Sequence, residues 1–149
     1  MPPAIVRFFD RYASYFTTSD SQQIAAMYEF PATLYSATGR ARVLDKPAFL
    51  RDTELVFQGY ARVGMHHIRY RLVGDSPVNP VLRLVEMEWI FENAAGERLT
   101  DFRTRYLVRD YRGHLSILGV VEVDESARLS VLTEQEGAGA GAGPADEEP

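Results

Sequence analysis

The 149-residue chain contains no cysteine. It can therefore form no disulfide, thiolate metal site or cysteine nucleophile, and it suits a reducing compartment, so we expect a cytoplasmic protein. It also lacks histidine pairs at metal-ligand spacing and a glycine-rich phosphate loop, and we predict neither a metal nor a cofactor. No apolar run reaches membrane-spanning length, and Arg7 and Asp10 interrupt the N-terminal apolar stretch, so no secretory leader is expected.

An excess of positive charge is also missing. The chain has 16 basic and 21 acidic residues, but five of the acids lie after residue 133, where no Lys or Arg occurs. Residues 1–133 thus carry 16 charges of each sign. Such a balanced body offers no basic face to nucleic acid and no polybasic anchor to a membrane, and we expect neither as a partner. The glycine-, alanine- and acid-rich residues 134–149 predict a disordered tail.

Three helices are predicted in the first 60 residues. Apolar residues from Ile5 to Phe16 recur at helical spacing. A second helix is expected to begin at a capping box opened by Ser19 and to end at Pro31. A third begins at Asp45 with Pro47 in its first turn and is expected to stop at Gly59. Two short strands, 32–36 and 40–44, separate the second helix from the third.

The remainder of the body alternates with a period of two. Val85, Met87, Trp89 and Phe91 alternate with glutamates, and similar patterns begin at His66, Phe102 and Leu115. Residues 74–77, Gly-Asp-Ser-Pro, predict the first loop between these strands. Four strands with short turns form an antiparallel meander, and helices against one of its faces make an α+β fold.

This order of elements resembles the superfamily of nuclear transport factor 2, ketosteroid isomerase and SnoaL-like polyketide cyclases, over residues 4 to about 125. The local marks are Asp20 after the first helix, Ile24-Ala25-Ala26-Met27-Tyr28 before a short strand ending at Gly39, and Arg112-Gly113 before the last strand. The resemblance implies an NTF2-like conical barrel: three N-terminal helices on a strongly curved, mainly antiparallel sheet that encloses an apolar pocket. It also implies a homodimer through the outer face of the sheet.

Comparison with ketosteroid isomerases tests one chemistry. Tyr12 falls where those enzymes place an oxyanion-hole tyrosine, but Ser36 stands at their general-base aspartate and Arg105 at their protonated acid. A serine cannot accept the proton at neutral pH and an arginine cannot be a neutral donor, which argues against steroid isomerisation. In that alignment Arg105 faces the cavity, whereas the alternation puts Phe102 and Tyr106 there, and we follow the alternation.

Six residues are candidates for the site. His66 shares its predicted strand face with Ile68 and Tyr70 and could act as a general acid or base, although a hydrogen-bonded wall histidine is the commoner role. Tyr12 could donate its hydroxyl to a ligand carbonyl, or it could simply be a core aromatic. Four aromatic residues would supply ligand-binding surface, unless they are only core: Tyr70, Trp89, Phe102 and Tyr106.

One carboxylate has two possible positions. Asp101 reaches the edge of the pocket if its strand follows the isomerase register. Alternation instead turns it outward, among Glu86, Glu88 and Arg103, where it would join cross-strand charge pairs, and we favour this orientation.

The resulting hypothesis is a SnoaL-like domain that binds a small, largely apolar molecule. Lyase, isomerase or cyclase chemistry on that molecule would fall to Tyr12 and His66. The alternative is a non-catalytic dimeric interaction module of the transport-factor type. An enclosed cavity would favour the first hypothesis, and a filled interior would favour the second.

Overall fold

The computed structural model describes the backbone of residues 3–140 and side chains as far as Leu132. The helices are α1 (Ala4–Thr17), α2 (Ser21–Ala25), α3 (Lys46–Arg62) and α4 (Glu125–Ala140). The strands are β1 (Tyr28–Tyr35), β2 (Ala41–Leu44), β3 (His67–Asn79), β4 (Leu82–Glu92), β5 (Arg98–Tyr111) and β6 (His114–Glu122).

The strands form one sheet in the order β2-β1-β6-β5-β4-β3. The antiparallel meander of β3 to β6 is confirmed, and the hairpin of β1 and β2 is added at its end through parallel pairing of β1 with β6. This parallel pair needs a close backbone approach: a Cβ on Gly119 would lie 3.0 Å from the Thr33 carbonyl oxygen. Glycine at this position lets the hairpin join the meander.

The sheet is curved and buries one face. Register shifts after Leu72 in β3 and after Leu107 in β5 mark irregular positions at which strands bend. The apolar residues of β4 alternate as predicted, with Val85, Met87 and Phe91 almost completely buried. Phe9 of α1 and Tyr60 of α3 pack their rings on this face. The α+β fold with helices against a curved, mainly antiparallel sheet is therefore confirmed.

Helix α3 begins as predicted and ends later. The Asp45 carboxylate caps its N-terminus by accepting from the amide of Ala48 at 2.9 Å. The predicted stop at Gly59 is wrong, because the apolar face continues to Tyr60 and Val63. Gly64 ends the helix instead, with a φ of +87° that suits glycine. The additional turn points Tyr60 into the interior.

The second helix is shorter than predicted. Asp20, not Ser19, is its N-cap and accepts from the Gln23 amide at 3.1 Å. The helix ends at Ala25, and Pro31 lies inside β1 rather than at a helix end. Tyr28 begins β1 and pairs with Ile117 of β6. Pro31 occupies the irregular stretch between the paired positions 28 and 33, where its missing amide leaves no ladder bond unmade.

Two further boundaries differ from the predictions. Residues 74–77 are not a loop but continue β3, and the turn falls after Asn79, whose side chain accepts from the amides of Val81 and Leu82. Helix α4 occupies the end of the body and contacts β5. Its backbone is helical to Ala140 and so overlaps the predicted tail, 134–149. Residues 141–149 of that tail lie outside the described residues.

Candidate functional site

A cavity of about 120 Å³ lies between the sheet and the helices. Its wall is mainly aromatic, and it also includes four polar residues, Asp52, Thr53, Thr104 and Glu125. The aromatic lining residues come from α1, β1, α3, β4 and β5: Tyr12, Phe16, Tyr28, Phe49, Tyr60, Trp89, Phe102 and Tyr106. Aromatic side chains thus fill much of the cone. The remaining space is below the range usual for drug-sized ligands and close to that needed by a single ring.

Buried hydroxyl groups are grouped at this wall. The hydroxyls of Tyr12 and Tyr28 lie 2.6 Å apart, and the indole Nε1 of Trp89 donates to the Tyr106 hydroxyl at 3.0 Å. Burial raises the pKa of Tyr12, Tyr28 and Tyr106 well above the ordinary tyrosine value. These phenols are therefore neutral at physiological pH and can both donate and accept hydrogen bonds.

The carboxyl group of Glu125 faces the same cavity. Glu125, the first residue of α4, accepts from the Tyr60 hydroxyl through Oε2 at 2.5 Å. The residue as a whole is partly exposed, but its carboxyl group is surrounded by protein. Burial raises the pKa of Glu125 to about 7, the bond from Tyr60 opposes this, and Glu122 and Asp124 add to the rise. Both protonation states of Glu125 are therefore accessible near neutral pH.

Four of the six predicted site residues line this cavity: Tyr12, Trp89, Phe102 and Tyr106. The other two lie elsewhere. His66 is exposed because β3 begins only at His67, so the alternation that turns Ile68 inward does not extend back to it. Tyr70 lines an open groove of about 400 Å³ between α1 and β3, where its hydroxyl donates to Asp10 at 2.8 Å. The expectation that His66 and Tyr70 line the pocket does not agree with the structure.

The residues compared with ketosteroid isomerase also lie outside the cavity. Ser36 belongs to the turn between β1 and β2, where its hydroxyl accepts from the Arg40 amide. Arg105 points outward and pairs with Glu86 at 3.1 Å. Asp101 points outward as well and pairs with Arg98 and Arg128. None of the three is placed for chemistry on a molecule in the cavity.

The outer face of the sheet is covered by ion pairs. Arginines of β3 and β5 pair with glutamates of β4, as in Arg71 with Glu88 at 3.0 Å and Arg105 with Glu86. Beside these charges lie exposed apolar side chains, among them Leu84 and Val121. The apolar and charged faces are thus separated by strand phase, as the alternation predicts.

The described part of the chain has neither a metal-binding cluster nor a membrane-spanning helix. Among residues 3–132, whose side chains the structure describes, no group of three His, Asp or Glu side chains is arranged to hold a metal ion. Of the helices between residues 3 and 140, none is long and apolar enough to cross a membrane.

Among the lining residues that the sequence did not indicate are Tyr28, Tyr60 and Glu125. Tyr28 was assigned to a helix, Tyr60 lay beyond the predicted end of α3, and Glu125 lay at the predicted domain boundary. One sequence pattern could have indicated Tyr60. The helical spacing of Phe49, Thr53, Phe57 and Tyr60 continues the buried face of α3 past Gly59. Nothing local marks Glu125, because its burial depends on where α4 returns to the sheet.

Solved structures resemble the fold. A protein called Aln2 from a Streptomyces species is 16% identical to this chain, with a TM-score of 0.62. The match covers 83% of this chain and 90% of the Aln2 chain. A ketosteroid isomerase-like protein from Erwinia carotovora atroseptica is 16% identical with a TM-score of 0.59, over 79% and 91% of the two chains. An NTF-2 like protein of unknown function from Shewanella oneidensis is 12% identical, with a TM-score of 0.59 over 79% and 94%.

The sequence comparisons are more specific. Among curated proteins, none matches this sequence. A family model described as NTF2-like protein (DUF6841) matches residues 3–125, which span α1 to the start of α4 and include every lining residue of the cavity. The curved sheet and the layer of helices on its inner face agree with the family match. The chain belongs to this family of NTF2-like proteins.

Proposed function

We propose that the protein binds a small, largely apolar molecule of about one ring in the cavity and exchanges a proton with it. The buried carboxyl of Glu125, facing a wall of aromatic side chains, carries this proposal. A purely structural core would place an apolar side chain there, because burying a carboxyl group costs free energy. A group whose pKa is about 7 suits general acid–base catalysis at neutral pH.

The roles within the cavity follow from the hydrogen bonds. Glu125 would take up or release the proton, and Tyr60 orients its carboxyl group. The hydroxyls of Tyr12, Tyr28 and Tyr106 form two hydrogen bonds among themselves, so one of the three O–H groups remains available to donate to a ligand oxygen or a developing negative charge. Isomerase, lyase or cyclase chemistry needs these two kinds of group: a carboxyl that transfers a proton and a hydroxyl that donates to a developing negative charge.

Binding can be tested with five- and six-membered ring fragments. We expect weak binding, at about millimolar concentration for six or seven heavy atoms, seen as a shift of the single tryptophan indole N–H resonance. Thr104→Leu should abolish the shift, because Thr104 is buried in the cavity wall and a larger side chain fills the space. Thr100→Leu, the same change on the same strand but outside the lining, should keep it. Equal binding by both variants would contradict the proposal.

A second proposal concerns assembly. We propose that the chain forms a homodimer through the outer face of the sheet, where Leu84 and Val121 are exposed beside the arginine and glutamate rows. This arrangement supports a self-complementary interface with an apolar centre and charged surroundings. It also suits the alternative of a non-catalytic interaction module, in which the same face would receive a protein partner.

Sedimentation velocity at tens of micromolar tests the dimer. We expect a dimer for the wild type and a shift toward monomer for Arg103→Glu, which places a negative charge beside Glu86. Arg51→Glu reverses an exposed charge on α3, away from the sheet, and should leave the sedimentation coefficient unchanged. A wild-type monomer throughout this concentration range would refute the interface.

A further inference from the structure

The cavity is polarised toward negative charge. All of its lining residues belong to the described part of the chain, and none of them is Lys, Arg or His. Two of them are carboxylates, Asp52 and Glu125. An anionic ligand such as a carboxylate or a phosphate would find no cation among the lining residues, and an ionised Glu125 would repel it.

Glu125 differs from the other carboxylates of the sheet region in its partners. Glu86, Glu88 and Glu92 on the outer face each pair with an arginine. Among the described residues, Glu125 forms no ion pair, and Tyr60 is the partner that hydrogen-bonds its carboxyl group. A buried carboxylate without a cation is costly, and a cation that hydrogen-bonds to it in good geometry offsets part of that cost.

The surroundings of Glu125 add to this preference. Glu122 of β6 and Asp124 lie close enough to disfavour its negative charge. Tyr60 of α3, Tyr28 of β1 and Tyr106 of β5 face it with neutral hydroxyls. Asp52 on the cavity wall is already paired with Arg42. The two charged groups that act most directly on the carboxyl, Glu122 and Asp124, are both acidic and would also attract a positive charge placed at Glu125.

The aromatic wall favours the same kind of ligand. Tyr12, Tyr60, Trp89 and Tyr106 line the cavity and present ring faces and edges to it. The face of an aromatic ring attracts a cation, most strongly for Trp, and the attraction grows when the cation is desolvated. A carboxyl group at one side and electron-rich rings at the others suit an ammonium group carried on a small hydrocarbon.

We propose that the ligand of this cavity is a small organic amine, bound as its ammonium ion against the Glu125 carboxylate with its hydrocarbon part among the aromatic rings. The inference rests on the proposed binding function but not on the proton-transfer chemistry. It limits the ligand to about the size of a five-membered ring with one amino group, given the volume of about 120 Å³. The ammonium N–H groups donate to the carboxylate, and no covalent step is needed.

A size-matched series tests the charge of the ligand. Cyclopentylammonium, cyclopentanol, cyclopentanone and cyclopentanecarboxylate are titrated into the full-length protein at pH 8, with the Trp89 indole N–H resonance as the readout. We expect cyclopentylammonium to bind at least about tenfold more tightly than the two neutral compounds, as a charge-assisted hydrogen bond allows, and the carboxylate not to bind. Glu125→Gln should weaken the amine at least about tenfold and change the affinity for cyclopentanol by less than about threefold.

The pH profile gives an independent readout. Alkylammonium groups stay protonated well above pH 8, so the affinity for the amine should rise between pH 5.5 and pH 8 as Glu125 ionises. A ketone that accepts from the protonated carboxyl would show the reverse trend. The profile should become flat in Glu125→Gln.

The outcomes separate the two proposals. Tighter binding of cyclopentanone, cyclopentanol or the carboxylate than of the amine overturns this inference while it supports a ligand cavity. Amine binding that Glu125→Gln leaves unchanged also overturns it. Failure of every member of the series to shift the indole resonance overturns both the inference and the proposed binding function.

Discussion

Glu125→Gln is expected to be more stable than the wild type at pH 8 and equally stable at pH 4.5. The neutral amide keeps the shape of the protonated carboxyl group, and its oxygen can still accept from the Tyr60 hydroxyl. What the substitution removes is the charge that the wild type must bury at high pH. Chemical denaturation of both proteins at the two pH values measures the difference.

The direction and size follow from the pKa. Burial raises the pKa of Glu125 in the folded protein to about 7 from an ordinary value of 4.5. The stability that the protonated group contributes is therefore fully present below pH 4.5 and is lost as the pH rises through about 7. A shift of this size corresponds to about 3 kcal/mol, the upper limit of the expected gain for glutamine at pH 8.

A matched variant identifies the cause. Glu54→Gln removes the same charge from an exposed position on α3 and should change the unfolding free energy by less than about 0.5 kcal/mol at either pH. An equal effect of Glu125→Gln at both pH values would mean that the pKa of the Glu125 carboxyl is not raised by folding. The acid–base role proposed for it would then fail.

Phe9→Ala is expected to destabilise the protein by about 3–5 kcal/mol, the usual cost of removing a fully buried phenylalanine ring. Phe9 has no exposed surface, and its ring contacts those of Phe8, Tyr12 and Tyr106 at centroid distances of 5.1 to 5.6 Å. Its removal leaves a space behind the cavity wall that neighbouring helices cannot close without moving. Urea denaturation at pH 6 gives the change in unfolding free energy.

The control for this variant is Leu55→Ala on α3, where the side chain is 63% exposed. It should cost less than about 0.5 kcal/mol. A cost below about 1 kcal/mol for Phe9→Ala would show that α1 does not pack on the sheet as described. A loosened wall should also broaden the Trp89 indole resonance, because Tyr12 and Tyr106 contact both Phe9 and Trp89.

Local patterns were sufficient to predict much of this fold. Alternation in β4 predicted which side chains face the helices, since burying one face of a strand determines its phase. The same reasoning turned Asp101 outward and Phe102 inward, as the structure has them. Asp45 and Pro47 predicted the start of α3 because the cap and the first-turn proline act locally.

Tertiary contacts decided what the patterns could not. Pro31 ends helices in general, but here the pairing of β1 with β6, which lies far later in the sequence, makes its segment a strand. Gly59 is typical of a helix end by its local sequence, but the helix continues past it because Tyr60 packs against Phe91. Glu125 could not be found at all, since its importance comes from the return of α4 over a cavity built by other elements.

The parallel pairing of β1 with β6 has a consequence for the order of folding. Tyr28 lies opposite Ile117, so the hairpin that holds part of the cavity wall cannot join the sheet before the ribosome has made almost the whole domain. Strands β3, β4 and β5 can pair earlier, because they are made before β6 and contacts close in sequence form quickly. Until β6 is made, the edge of β1 that pairs with it stays open, and unpaired strand edges of this kind promote aggregation during synthesis.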